Sequence, residues 1–257
     1  MEGRDAEPQR AAGGLGLLQS TVSAVVSLPH TLASRVVSGR MTMGEGAWDE
    51  VREAEHAAVL ASAREQTEDV QVIADTGCVR LPTRLVDRDG DPVVVVLGAD
   101  IRPLAAPPAH LRMFAALHAE AQGLAKDGAR YSVLYVHTGA SLRSNSPGLA
   151  WAWWAWERLP TRYHAGLKKC FVLHPNATLR AGLAVACPAD LYAKVEMVHR
   201  VEFLDDAVAV EDLRGVLPDR VWEHDRLLEE HPLLDYGIVD TEKIYAPRAS
   251  LEIERED

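Results

Sequence analysis

The sequence has few cysteines: Cys78, Cys170 and Cys187 are its three, and no two of them form a CxxC pair. Three separated cysteines in a chain of 257 residues argue against a disulfide framework and against a structural zinc site. The histidines also lack the short spacings of metal ligands. We therefore expect a cytoplasmic protein that holds no metal ion and no cofactor.

Catalytic signatures are missing as well. The segment HTGASLRSNSPG offers Ser141 without the flanking glycines of GxSxG, and AGGLGLL has neither a preceding strand nor a phosphate-loop pattern. We expect a protein that is not an enzyme and has no catalytic residues. The alternative is a hydrolase in which His137 or His174 acts as a base with Asp100 or Ser141, because histidine carries protons near neutral pH.

Long apolar runs and excess positive charge are also absent. No stretch approaches the roughly 18 consecutive apolar residues of a membrane-spanning helix, and LAWAWWAW is far too short. The formal net charge of -11 repels a polyanionic backbone. We expect a soluble chain with no nucleic-acid partner, and peripheral membrane contact remains an alternative.

Acidic residues are missing between Glu7 and Glu45, where Ser, Ala, Val and Thr dominate. This bias is typical of organellar targeting or of an amphipathic membrane-surface helix, and a disordered extension is the alternative. We predict three parts: an extension over residues 1–44, one domain over residues 45–228, and an acidic tail over residues 229–257.

The most informative stretch contains two short apolar segments, YSVLYVHTG and LKKCFVLHP, on either side of one tryptophan-rich helical segment. A helical crossover between two strands makes them parallel, and four consecutive valines from Val93 mark another strand buried on both faces. These patterns predict an α/β fold with a mixed, mainly parallel sheet flanked by helices. Ligands collect at the carboxyl ends of such strands, where His137 and His174 lie.

The helical segment from Leu149 to Tyr163 has an apolar stripe at spacings of three and four residues. Trp151, Trp153 and Trp154 lie off that stripe. We expect a neighbouring helix or the N-terminal extension to cover them, and the alternative is a patch that binds a partner.

Four segments, taken in order, resemble the CRAL-TRIO domain of lipid-binding and lipid-transfer proteins, in its divergent BCH-type branch. They are DRDGDPVVVVLGADIRP, YSVLYVHTG, PGLAWAWWAWERLPTRYHAGLKKCFVLHP and LPDRVWEHD. The likeness covers the chain from Val70 to Asp225.

This resemblance implies a mobile gate helix over an apolar cavity, with the gate at NATLRAGLAVACPADLY and its break at Pro188. It also implies a lipid or other hydrophobic small molecule as the ligand, in lipid signalling or transfer. The residues expected to bind it, three at the strand ends and three on the gate, are Tyr135, His137, His174, Leu179, Leu183 and Val185.

The BCH-type branch implies a second function, a scaffold that binds small GTPases or their regulators. In that hypothesis Trp151, Trp153 and Trp154 are exposed anchors for a partner, and the gate is packed shut.

Overall fold

The computed structural model describes residues 45–80, 85–102, 107–124, 126, 128–141, 145 and 148–236. The predicted extension, residues 1–44, lies outside these residues, and so do residues 237–257 of the predicted tail. The chain divides into two units at Trp48, and only residues 45–48 of the first unit are described. The second unit carries the sheet.

Two helices precede the sheet. Alanine, glutamate and arginine, all strong helix formers, dominate the first of them. The second helix buries Val70 and Ile73 against Leu111 and Phe114 of a later helix. These helices are α1 (Glu45–Glu65) and α2 (Thr67–Asp75), and the later helix is α3 (Pro108–Ala121).

Five strands form one sheet in their sequence order, β1 to β5. The first pairs antiparallel with the second, and the other neighbours are parallel. This confirms the predicted α/β class with a mixed, mainly parallel sheet. The strands are β1 (Val79–Arg80), β2 (Val93–Leu97), β3 (Tyr131–Val136), β4 (Leu167–Leu173) and β5 (Val195–Val198).

The crossover between β3 and β4 differs from the single helix that the sequence predicts. It contains two helices, because Pro160 adopts an extended conformation with ψ 147° and disfavours helical geometry at the residue before it. The connection from β4 to β5 is also split, at Pro188. These helices are α4 (Leu149–Glu157), α5 (Thr161–Gly166), α6 (Ala177–Ala186) and α7 (Ala189–Tyr192).

The chain after β5 covers one face of the sheet. The last strand, β5, ends at Val198, and Val201–Leu204 is a 3-10 turn. Two helices follow, α8 (Val210–Leu213) and α9 (Asp219–Glu230), with a final 3-10 turn at Leu234–Tyr236. Among the described residues, no helix is long and apolar enough to cross a bilayer.

The two faces of the sheet are packed differently. On the face covered by residues 201–221, which we call the closed face, eight apolar strand side chains are at most 5% exposed, while Arg80 is half-buried and Glu196 is exposed. The eight are Val93, Val95, Leu97, Leu134, Val136, Phe171, Leu173 and Val198. On the opposite face, which we call the gate face, most of the alternate side chains are half-buried, and Tyr131 and Val172 are buried. The half-buried ones are Val94, Val96, Val133, Tyr135, Cys170, Val195 and Met197.

We expect Gly166→Ala to destabilise the fold, because a Cβ atom there would lie 2.5 Å from the backbone oxygen of Ala129. A backbone oxygen cannot move aside as a flexible side chain can. We therefore expect the free energy of unfolding to fall by roughly 1–3 kcal/mol. Urea unfolding measures it. Gly215→Ala is the control, because its Cβ would meet nothing within 4 Å. Equal midpoints for the two variants would contradict the packing at Gly166.

Candidate functional site

The two histidines predicted from the strand ends lie side by side at one edge of the sheet. The backbone N–H of His137 donates to the oxygen of Leu173 at 2.9 Å, and that of His174 donates to Val198 at 2.9 Å. The Tyr135 hydroxyl lies 3.3 Å from Nδ1 of His137. The structure therefore brings together the three residues expected at the strand ends.

His174 is the centre of a buried hydrogen-bond network. Its Nδ1 lies 2.7 Å from the Thr138 hydroxyl, and its Nε2 lies 3.1 Å from Oδ1 of Asp225. Asp225 also accepts hydrogen bonds from Arg200 at 3.1 Å and from the backbone N–H of Val201 at 2.7 Å. An imidazole protonated at Nε2 satisfies both neighbours, donating to the carboxylate and accepting from the hydroxyl.

The ionisation of Asp225 reflects this network. Burial raises the pKa of its carboxyl, but the hydrogen bonds from His174, Arg200 and Val201 outweigh burial and lower that pKa to about 2. The sequence-based prediction did not include Thr138, Asp225 or Arg200. The sequence did point to the region of Asp225, because this residue is the last of the segment LPDRVWEHD on which the family resemblance rests.

The line from Thr138 through His174 to Asp225 has the order of a nucleophile, a base and a carboxylate. However, Thr138 is 6% exposed and the His174 side chain is fully buried, so a substrate has no access to either. Asp100, the carboxylate of the hydrolase alternative, instead forms an ion pair with Arg220 at 2.7 Å. The arrangement therefore supports a structural role for His174, which holds β4 against α9.

Tyr135 and His137 are both uncharged near neutral pH. Burial raises the pKa of the Tyr135 hydroxyl to about 12. Burial also lowers the pKa of His137, and a hydrogen bond with Asn176 offsets only part of that effect. A Cβ atom on residue 98 would lie only 2.5 Å from the hydroxyl oxygen of Tyr135. The absence of a side chain at Gly98 therefore leaves room for the tyrosine on the gate face.

Helix α6 corresponds to the predicted gate. The Asn176 side chain caps it by accepting a hydrogen bond from the backbone N–H of Leu179 at 2.8 Å. Leu179 and Leu183 are buried against Val172 of the gate face. The helix stops at Cys187, and Pro188 separates it from α7.

The outer surface of α6 carries no charged side chain. Val185, expected to line the gate, is 88% exposed and lies on this outer surface. The one cation of the helix, Arg180, is half-buried and donates to the backbone oxygen of Pro175 at 2.7 Å. The exposed residues of the helix are Ala177, Thr178, Ala181, Ala184, Val185 and Ala186.

The three tryptophans of α4 are half-buried. Trp151 packs against the cluster formed by α2 and α3, and Trp153 packs against the cluster of Leu179 and Leu183. Trp154 lies between two guanidinium groups, those of Arg112 at 5.0 Å and Arg158 at 4.9 Å from the ring centre. Neighbouring elements therefore cover much of each indole ring.

Three carboxylates at the turn before β2 could in principle hold a cation. Ligand atoms of Asp87, Asp89 and Asp91 lie within 4.8 Å of one another. The ammonium of Lys168 lies 2.6–2.8 Å from all three. Burial lowers the pKa of Lys168, but hydrogen bonds to the three carboxylates reverse that and raise it, so the lysine supplies the positive charge of this cluster.

The comparison with protein families agrees with this architecture. A model described as "Divergent CRAL/TRIO domain" matches residues 90–227, which are 138 of the 257 residues. The chain belongs to the divergent CRAL/TRIO domain family. The family predicted from the order of four segments is thereby confirmed, and the domain's five-stranded sheet flanked by helices is consistent with its fold.

Two curated relatives match part of the chain. Caytaxin from Macaca fascicularis is 28% identical over 102 residues, which are 38% of this chain and 27% of that protein. Caytaxin from Mus musculus is 28% identical over 98 residues, which are 37% of this chain and 26% of that protein. The chain thus spans about a quarter of the length of these relatives.

We expect Asp225→Asn to destabilise the protein in a pH-dependent way. The folded pKa of about 2 lies below the ordinary value of 3.8, so the stabilisation is fully present above pH 4 and is lost as the pH falls towards 2. The pH-dependent part is roughly 2 kcal/mol. Urea unfolding of wild type and variant between pH 7 and pH 2 measures it, with Asp212→Asn, an exposed carboxylate, as the control. A difference between wild type and Asp225→Asn that stays constant across this range would contradict the account.

Proposed function

We propose that this domain binds a lipid or other hydrophobic molecule, without catalysis, between the gate face of the sheet and helix α6. The observation that carries the proposal is the contrast between the two faces of the sheet. Eight apolar strand side chains on the closed face are at most 5% exposed, whereas most apolar strand side chains on the gate face are half-buried. A parallel sheet is normally covered on both faces, so apolar surface left accessible on one face suits an apolar ligand.

The burial that holds helix α6 against the gate face contributes a modest free energy. Leu179 and Leu183 are its two buried side chains, and burying one leucine contributes roughly 1.5–3 kcal/mol. Lifting the helix therefore costs roughly 3–6 kcal/mol. A bound acyl chain gains about 0.8 kcal/mol for each methylene group, so about eight methylenes offset the opening.

The ends of α6 favour such a movement. At its start the chain turns at His174, which has a φ of 52°, and passes through Pro175 to the cap at Asn176. At its end Cys187 and Pro188 are extended, with ψ 131° and 139°. Short non-helical joints on both sides let a ten-residue helix move as one body.

Polar contacts to the ligand are proposed for Tyr135 and His137. Both are uncharged near neutral pH, which suits an ester, hydroxyl or amide group of a ligand more than a bare phosphate. His174 is engaged with Thr138 and Asp225, so we propose that it acts indirectly, by fixing the joint before the gate.

The outer surface of α6 supports peripheral membrane contact during ligand uptake. A helix that buries Leu179 and Leu183 on one side and exposes Ala184 and Val185 without a charge on the other is apolar nearly all round. Such a helix is stabilised by burial or by a lipid interface. The scaffold hypothesis has less support, because Trp151, Trp153 and Trp154 are half-buried by their neighbours.

We expect Met197→Trp to weaken ligand binding, because the larger side chain fills space on the gate face. The added volume is about that of two methylene groups, which corresponds to about tenfold weaker binding. Titration with a fluorescent fatty-acid analogue measures the change. Leu227→Trp, at an exposed position of α9, is the matched control and should bind as wild type does. Unchanged affinity in a correctly folded Met197→Trp would place the ligand elsewhere.

We expect Val185→Asp to reduce binding to phospholipid vesicles, because a charge at this exposed position opposes contact with the apolar interface. Stability should change little, since the side chain is 88% exposed. Co-sedimentation with vesicles measures binding, and Val72→Asp on α2 is the control, because Val72 is also exposed. Equal co-sedimentation of the wild type and both variants with vesicles would contradict the proposed membrane contact.

A further inference from the structure

A pocket of about 340 Å³ lies beyond the carboxyl end of β5, next to α9. It shares no residue with the gate face, so a ligand in this pocket would occupy a place separate from the proposed lipid site. Arg200, one of its lining residues, belongs to the network of Asp225 and His174. The lining residues are His199, Arg200, Leu228, Glu229, Pro232 and Asp235.

Two residues of this lining each carry a buried polar atom that makes no hydrogen bond within the described part of the chain. The first is Oδ2 of Asp235, whose side chain is only 9% exposed and whose Oδ1 pairs with Nε2 of His224 at 2.9 Å. The second is Nε of Arg200, whose Nη2 pairs with Asp225 and Glu229. A buried polar atom left without a hydrogen-bond partner destabilises the fold, so each atom favours a ligand group that bonds to it.

The two atoms need hydrogen-bond partners of opposite kinds, one a donor and the other an acceptor. The carboxylate oxygen of Asp235 needs a donor, and an ammonium group gives the strongest hydrogen bonds to it. The Nε–H of Arg200 needs an acceptor, for which an anionic oxygen is best. Burial, together with the charge of Arg180, lowers the pKa of His199, so the imidazole is neutral near pH 7. Leu228 and Pro232 supply an apolar wall.

We propose that this pocket binds a small zwitterion, with its primary ammonium group on Asp235 and its anionic oxygen on the Nε of Arg200. Phosphoethanolamine has this chemistry, either as the free molecule or as the headgroup of a lipid. Phosphocholine has the same charges, but its trimethylammonium group has no N–H to donate to Asp235. We therefore expect the pocket to bind phosphoethanolamine more tightly than phosphocholine, because the two differ in hydrogen-bond donors and not in the sign of their charges.

Titration of the full chain with free phosphoethanolamine, followed in two-dimensional ¹H–¹⁵N NMR spectra, tests the proposal. The expected result is saturable shifts confined to residues 199–200 and 224–235, with phosphocholine binding at least about tenfold more weakly. A second titration uses vesicles of phosphatidylcholine with and without phosphatidylethanolamine. Shifts with the free molecule identify a soluble ligand, and shifts with the ethanolamine vesicles alone identify a headgroup.

Asp235→Asn should weaken phosphoethanolamine binding by about tenfold or more, because the amide replaces a charged acceptor by a neutral one. Asp219→Asn, at the exposed start of the same helix α9, should bind as wild type does. Arg200→Lys removes Nε and keeps the positive charge, so a loss of binding there assigns the anionic oxygen to Nε. No shift with either source, equal binding of phosphocholine, or unchanged binding by Asp235→Asn would overturn the proposal.

Discussion

The hydrogen bond between His174 and Asp225 fixes the positions of three parts of the domain. His174 directly follows β4 and begins the connection to α6, while Asp225 lies on α9, which contributes to the cover of the closed face. The same carboxylate binds Arg200 and the backbone of Val201, just after β5. A buried histidine that is fully hydrogen-bonded has one stable position, so the gate starts from a rigid anchor.

The unequal burial of the two sheet faces depends on the elements that pack against each face. On the closed face, residues 201–221 supply a continuous layer that includes Leu204, Val208, Leu213 and Val221, all fully buried. On the gate face, a short alanine-rich helix contributes Leu179 and Leu183 and leaves the side chains beside them half-buried. The closed face therefore holds most of the fully buried strand side chains, and the proposed ligand site lies on the other face.

The sequence predicts the sheet, the crossovers and the family because their signals are local: apolar runs, helical spacing and the order of four segments. It misses the break in the crossover helix at Pro160, although a proline that disfavours helix at the residue before it is a local signal. Asp225 lies 51 residues from His174 along the chain, so no spacing rule connects them. The sequence also does not predict that Val185 is exposed, because the composition of an apolar helix does not say which side of it packs on the sheet.

The central claim is that the gate face and α6 enclose an apolar binding site. Native mass spectrometry of the full chain, purified from a eukaryotic host without detergent, tests it most directly, with extraction and identification of any lipid. The account predicts a stoichiometric mass increment that is lost on denaturation and matches a lipid or another hydrophobic molecule. A chain that is empty as purified, and still empty after incubation with vesicles of mixed phospholipids, would contradict it.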